Sequence, residues 1–472
     1  MERFYLDNIA KYRSLLGALD PVPKPRISSG IAGSNMLVSA RIKPLSTDED
    51  FPSAIFPRSM QHNVVDIHDL YNHPKGLPIL KSFDYQVDRI FGPETTTDEI
   101  FKEIVTDLVP FAWNGGIGTL FAYGQTGSGK TFTISRIEQL VAETLMAGNL
   151  DGDRDIYMTI IDLAGNSAFD LLNERQPISL LEDSFGVTQM MGITEHQIHD
   201  KEEMSDLIER ATSFRRTAPT LRNDSSSRSH AICRIRITNK ATESDGLLYL
   251  IDLAGSEAAR DVAAHGADRM RETREINNSL SVLKDCIRGK AEADALSSSG
   301  RKARAKTPHI PFRRSALTKV LKHVFDANGA QTCKTVVIAC VNPSIADVGP
   351  SKNTLRFAEM LHVLVPPNNK TDPDPNIPSN WTNTQLKSWI KENSGTPPVL
   401  PNIVAPRESG AQFFNLSVTE LEYRCQKCPG VRRDRAKAFL AKLWQLQIEA
   451  QNKMGQSHAR ETSNADDVAT GP

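Results

Sequence analysis

Gly124-Gln-Thr-Gly-Ser-Gly-Lys130-Thr131 is the stretch that most restricts what this chain can fold into. It completes the pattern G-x-x-x-x-G-K-[ST]. The apolar run GTLFAY precedes it and the amphipathic run TFTISRIEQLV follows. A buried strand, a glycine-rich turn and a helix start, in that order, make a phosphate cradle. The glycines let backbone N–H groups wrap the phosphates, and the helix N-terminus adds partial positive charge. The expected binding set is Gly124, Gln125, Thr126, Gly127, Ser128, Gly129, Lys130 and Thr131. In such a cradle the lysine reaches the β- and γ-phosphates and the threonine hydroxyl faces Mg²⁺.

With 472 residues the chain has room for two or three domains. Hydrophobic and charged contents of 39% and 24% are those of an ordinary globular protein, and a net charge of −1 gives no global signal for nucleic acid. No run of 18 apolar residues is present, so no membrane span is expected, and the charged N-terminus does not read as a signal peptide. Cys233, Cys286, Cys333, Cys340, Cys425 and Cys428 are too scattered for a disulfide framework and fit a reducing compartment. Cys425 and Cys428 form a lone C-x-x-C; a zinc site needs four ligands, so two ordinary thiols are expected.

Residues 1–35 read as a short helix and a Pro/Gly/Ser-rich linker. From 36 to 364, apolar runs such as DIYMTIID, AICRIRI, GLLYLID and KTVVIACV alternate with helical patterns such as TDEIFKEIVTDLVPFAW and RSALTKVLKHVFD. That alternation predicts an α/β fold with helices flanking a central sheet. Residues 365–380 are dense in Pro, Asn and Asp and read as a linker. A small all-α domain is expected over 381–452, followed by a polar, disordered tail over 453–472.

The string IDLAG occurs twice, at Ile161–Gly165 and at Ile251–Gly255. An apolar strand ending in Asp, with Gly three residues on, is the form of a nucleotide sensor. Only the second copy continues as Gly255-Ser256-Glu257. A serine-rich loop, Asn223-x-x-Ser226-Ser227-Arg228-Ser229-His230, lies between the copies. Phosphate loop, serine-rich loop and DLAGSE, in this order, resemble the P-loop, switch I and switch II of the kinesin motor family. FDYQVDRIFGPETTTDEIF, EINNSLSVL, HIPFRRSALTKVL and NTLRFAEML resemble further segments of the same family, so the likeness runs across 36–364. The first IDLAG is read as a buried strand running into a loop, alike by coincidence. The flanks of the two copies differ, which argues against an internal repeat.

The resemblance implies an ATP-driven, microtubule-stimulated motor on the cytoskeleton in the cytoplasm. It implies Mg²⁺ held by Thr131 and Ser227, and by Asp252 through water. Lys130, Ser227, Arg228, Gly255 and Glu257 are the implied catalytic set, with Gly255 sensing the γ-phosphate and Glu257 paired with Arg228. Arg41 and Pro44 match the family's adenine-side R-x-R-P, with Lys43 for the second Arg; Phe132, next to Thr131, is expected either to pack on the base or to be an ordinary core aromatic. A basic run with Arg301, Lys302, Arg304, Lys306, Arg313 and Arg314 (residues 301–314), together with the relay helix, expected over 268–289, is the implied tubulin surface. Many relatives carry R-[DE]-S-K-L-T where this chain reads Arg313-Arg-Ser-Ala-Leu-Thr318. LKDCIRGK is similar to the internal-motor, microtubule-depolymerising subfamily, although that group's K-V-D tripeptide is missing; a depolymerase and a low-turnover scaffold are the alternatives. After residue 365 no heptad run of three or more repeats occurs. Leu386, Trp389 and Ile390 share one helical face, as do Ala436, Phe439, Leu440, Leu443, Trp444 and Gln447. Their order resembles a sterile alpha motif, which implies a protein partner; a generic helical bundle has the same pattern.

Overall fold

The computed structural model describes residues 2–19, 36–46, 49–58, 63–72, 76–183, 188–217, 228–256, 267–298, 310–325, 331–364, 378, 381–414, 416 and 418–446. Contacts divide the chain into two compact units. One holds residues 1–181, 188–326 and 331–368; the other holds 182–187, 327–330 and 369–472.

The first unit is built on fourteen described strands: β1 Met36–Ile42, β2 Ile55–Pro57, β3 Val64–Asn72, β4 Pro78–Gln86, β5 Arg89–Phe91, β6 Ile117–Tyr123, β7 Arg154–Ala164, β8 Ser167–Asp170, β9 Gln176–Glu182, β10 Thr188–Met191, β11 His196–Ile198, β12 His230–Asn239, β13 Asp245–Asp252 and β14 Cys333–Val341. The main sheet runs β10-β9-β8-β7-β12-β13-β6-β14-β1-β5, with β11 on β7. From β13 through β5 the pairs are parallel, whereas β12 is antiparallel to both β7 and β13. Strands β2, β3 and β4 form a separate antiparallel sheet.

Every residue of β6 is buried, because both faces of the sheet are covered. The alternation of a pleated strand sorts β14 between two cores. Val337, Ala339 and Val341 join one face with Leu280, Leu283 and Ile287 of the long helix Ala267–Ser298. Val336, Ile338 and Cys340 join the other, with Ile134, Ile137 and Val141 of the helix Lys130–Met146. The N-terminal helices Glu2–Asp7 and Ile9–Gly17 enter the first core through Tyr5 and Tyr12, which are 3% and 0% exposed. Tyr12 donates to the Ser53 carbonyl at 2.9 Å, and Tyr5 to Asp69, which also takes the Lys352 ammonium at 2.6 Å.

The helix anticipated across residues 97–113 is interrupted. It begins as Thr97–Ile100, widens to a π turn over Phe101–Val105, where Thr106 N–H bonds the Phe101 carbonyl, and resumes as Leu108–Trp113. Pro110 has no N–H to offer the Thr106 carbonyl, so an unbroken ladder is unavailable there.

The second unit has its own core. Helices Asn383–Asn393, Pro401–Val404, Gly410–Phe414, Val418–Gln426 and 433–446 surround Leu386, Ile390, Phe413, Leu421, Phe439, Leu440 and Leu443. Thr382 and Gln385 form a capping box that starts the first of them. Trp389 and Trp444 pack on this core as the helical spacing predicts; Gln447 lies outside the described residues. Cys425 and Cys428 are buried core members, and the Cys428 sulfur accepts the Leu400 N–H at 3.2 Å. Among the described residues no helix is long and apolar enough to cross a membrane.

Candidate nucleotide site

The chain leaves β6 at the middle of the sheet and turns at once. A Cβ on Gly124 would overlap the Cys340 carbonyl and lie 2.8 Å from Ser128 Oγ, so only glycine fits. Gly127 and Gly129 have φ of +75° and +96°, the left-handed region that lets the loop curl. Gln125's carbonyl holds the loop closed, accepting from Ser128 Oγ at 2.7 Å and from Lys130 Nζ at 2.8 Å. Lys130 is 6% exposed at the first position of a 17-residue helix, so a buried ammonium and the positive end of a dipole coincide. Thr126 and Gly127 form the exposed tip.

Beside this loop stands the second IDLAG. Leu253 N–H donates to Ala122 O and Ser256 N–H to Gly124 O at 3.1 Å, tying the segment after β13 to the glycine-rich loop. Gly255 is buried between these tethers. Asp252 Oδ2 accepts from Thr131 Oγ1 and from Arg215 Nη1, both at 2.7 Å, while its Oδ1 is buried without a hydrogen-bond partner. Arg215 also donates to the Ser229 carbonyl at 2.6 Å, and its Nε lies 3.9 Å from Asp162 Oδ1. Arg175 donates to Asp162 Oδ2 at 3.1 Å.

Asp162 belongs to the first IDLAG. The register explains the meeting: Ala231 of β12 pairs with Asp252 on one side and with Asp162 on the other. The two copies run in the same direction at the same height, one strand apart, and Arg215 spans the gap. The first copy is a buried strand ending in a turn, as read from the sequence, yet its Asp is part of the charge network behind the phosphate loop. Glu138, half-buried nearby, is pushed up to about 8 by burial and by the Asp252 charge, against the opposing Arg215. Near neutral pH it is therefore largely protonated, leaving Arg215 to two carboxylates.

Sequence reasoning missed Arg215, Asp162 and Arg175. A signal existed for Arg215. In the helix Lys201–Thr217 the apolar face runs Met204, Leu207, Ile208, Ala211, and Arg215 takes the next place on that face at 7% exposure. An arginine there requires a buried acid.

His230, the last residue of the serine-rich motif, opens β12. Its Nδ1 accepts the Ala254 N–H at 3.0 Å, which leaves the proton on Nε2, 2.8 Å from Ser279 Oγ on the long helix. Ser279 passes a hydrogen bond to Ile276 O at 2.7 Å. Burial, with the charges of Arg215 and Lys130, pushes His230 down to about 3. In the unfolded chain it titrates near 6.5. Between these values the unfolded state binds the extra proton, so this stability is present above about pH 6.5 and is lost as pH falls toward 3. His230→Gln offers a similar acceptor and donor without titrating. It is expected to shrink the stability lost between pH 7 and pH 5 by about 2 kcal/mol, read from denaturation midpoints at the two pH values. An unchanged pH dependence would show that His230 is not the acid-sensitive group.

At the positions expected on the adenine side, Arg41 donates to Thr133 Oγ1 at 2.6 Å and its guanidinium carbon lies 5.3 Å from the Phe132 ring centroid. Burial lowers the pKa of Arg41. Phe132 is 69% exposed, so it presents a ring face instead of filling the core, and Pro44 is exposed as well. Arg228 is half-buried just before His230. Ser227 and Glu257 lie outside the described residues, as do Arg301, Lys302, Arg304 and Lys306; Arg313 and Arg314 are described and exposed.

A central parallel strand, a glycine cradle on a helix start and a neighbouring strand whose Asp meets the cradle's Thr define a P-loop nucleotide-binding protein. The kinesin motor domain model matches residues 41–363, and the chain belongs to that family. It is similar to the diatom spindle kinesin-1 of Cylindrotheca fusiformis, 34% identical over 333 residues, covering 70% of this chain and 50% of that protein. Kinesin-like protein KIN-13B of Arabidopsis thaliana is 30% identical over 345 residues, covering 71% and 48%. Kinesin-like protein KIF24 of Homo sapiens is 33% identical over 290 residues, covering 59% and 20%. The solved C-terminal motor and motor homology domain of Kar3Vik1, fused to a synthetic heterodimeric coiled coil, aligns with a TM-score of 0.58 at 29% identity, over 69% of this chain and 85% of that one. The chain spans about half or less of the length of these curated relatives.

Proposed function

We propose that this protein is a microtubule-stimulated motor ATPase that couples ATP hydrolysis to force or movement on microtubules. One observation carries the reading: Thr131 of the glycine-rich loop and the buried Asp252 meet at 2.7 Å, and Ala254, two residues on, bonds His230, which reaches Ser279 of the long helix. Nucleotide chemistry and a long helix are thereby joined through the second IDLAG. Gly124 to Phe132, with Arg41 and Pro44, bind ATP, and Lys130 takes the β- and γ-phosphates. Thr131, with Asp252 through water, fits Mg²⁺, because a hydroxyl and a carboxylate with a buried, unpartnered oxygen make a hard-cation donor set, and Ser227, outside the described residues, would complete it. When bound, the ion neutralises phosphate charge. Gly255 offers its backbone N–H to the γ-phosphate, and Glu257 with Arg228 orients the attacking water.

In this reading residues 36–364 are the motor and 365–380 a linker. Residues 381–452, a sterile-alpha-motif-like unit, dock a protein partner ahead of a tail over 453–472. The basic 301–314 segment and the long helix meet tubulin, whose acidity suits them, and the protein works on the cytoplasmic cytoskeleton. The test is ATP turnover of the full chain with and without microtubules. Stimulation that Glu257→Ala removes by about 10²-fold or more is expected, since positioning of the water supplies much of the rate. Turnover indifferent to microtubules would sink the proposal. Imaging of stabilised filaments then separates gliding from shortening at the ends.

A further inference from the structure

The first IDLAG ends in a two-residue turn, Gly165-Asn166, between β7 and β8, with Ala164 paired to Ser167. Gly165 has φ +61°, the conformation that such a turn requires at its first position. Its backbone lies against the long helix. A Cβ there would overlap the Glu275 carboxylate and come within 3.3 Å of the Glu275 Cβ. Asn166 reaches the other way: its Oδ1 accepts the N–H of Ala316, the first residue of the helix Ala316–Val320, at 3.3 Å. That helix has its own cap, Ser315 Oγ accepting Thr318 N–H, so Asn166 satisfies a first-turn donor that the cap leaves open. Ala316 itself is 4% exposed. A cleft of about 520 Å³ opens beside this contact, lined by Asn166, Phe169, Ile178, Arg314 and Lys319 among others.

The turn is anchored from behind. Two residues before Ala164, Asp162 holds Arg175 and faces Arg215, which grips Asp252. One buried strand thus ends in a turn that touches both the long helix and the helix Ala316–Val320, and begins its charge network at the nucleotide site. A hydrogen-bonded strand is one of the rigid elements through which two sites can be coupled.

We propose that Asn166 is a positioning residue for track-dependent turnover: it fixes the helix Ala316–Val320, and with Gly165 the long helix, relative to the strand that carries Asp162. This rests on the microtubule ATPase reading. The departure from the usual family sequence at Ala316 then has a physical role, since a small residue lets the Asn166 loop close over the helix start.

The experiment uses the full chain and compares wild type, Asn166→Ala and Asn166→Asp. Basal turnover, nucleotide affinity, stimulated kcat and the half-stimulating microtubule concentration are measured for each. Loss of one neutral hydrogen bond converts to about a three- to ten-fold effect. Asn166→Ala is expected to raise the half-stimulating concentration or lower the stimulated kcat by that factor, with basal turnover and nucleotide affinity within about two-fold. Asn166→Asp keeps an acceptor and is expected to restore most of the stimulation. Gly165→Ala is expected to impair stimulation further, and Gly165→Ala/Glu275→Ala to recover part of it. Equal losses in basal and stimulated turnover, no loss in Asn166→Ala, or an Asn166→Asp variant no better than Asn166→Ala would each overturn the positioning role. Wild-type turnover that ignores microtubules would overturn the function proposal itself, and this one with it.

Discussion

Lys130→Ala is expected to abolish productive ATP binding, with kcat/KM falling by about 10²- to 10⁴-fold. Each charge-assisted hydrogen bond contributes about 1.5–3 kcal/mol, and an ammonium expected to meet two phosphates loses about two of them. The loop itself is expected to survive. Ser128 Oγ and N–H both bond the Gln125 carbonyl, so that carbonyl keeps partners when the lysine is removed. Melting temperature and circular dichroism are therefore expected to change little while titration with a fluorescent ATP analogue loses its signal. Lys130→Arg is not expected to rescue, because a planar fork does not replace a compact point charge in a cradle this buried. Retained nucleotide affinity in Lys130→Ala would remove the phosphate role from this loop.

The second large effect concerns stability. Arg215→Ala removes the cation shared by Asp252 and Asp162 at the level of Ala231. Breaking a buried pair by deleting one partner destabilises by about 3–5 kcal/mol, because the remaining charge stays desolvated. Two carboxylates are left here, only one of which has Arg175. Urea denaturation is expected to show that loss. Adding Asp162→Asn is expected to return part of it, a coupling that a double-mutant cycle measures. If Arg215→Ala and Asp162→Asn add independently, the two strands are not joined through this arginine. Nucleotide affinity is also expected to fall in Arg215→Ala, since Asp252 loses a donor that orients it toward Thr131.

The parts read correctly from sequence were local. GQTGSGKT needs only its own glycines, the strand before it and the helix after it, all within one contiguous run. The strands behind DIYMTIID, AICRIRI, GLLYLID and KTVVIACV carry their apolar residues in order, and the structure places them at β7, β12, β13 and β14. Amphipathic spacing identified Leu386 and Ile390, and Ala436, Phe439, Leu440 and Leu443, as core positions of the second unit. The break before Leu108–Trp113 was less visible, because Pro110 acts on the Thr106 carbonyl four residues earlier.

What sequence by itself determined was thus the strand, glycine-rich turn and helix of GTLFAYGQTGSGKT, the α/β class and the family likeness, each written in short contiguous strings whose backbone geometry is set by neighbours. The tertiary structure alone decided that two similar strings lie one strand apart in register, that Arg215 is shared between them, and that Asn166 reaches Ala316 across 150 residues. Sheet order is not chain order. Inserting β12 between β7 and β13 depends on burying both faces of the sheet at once, and that free energy belongs to the whole core and to no single segment.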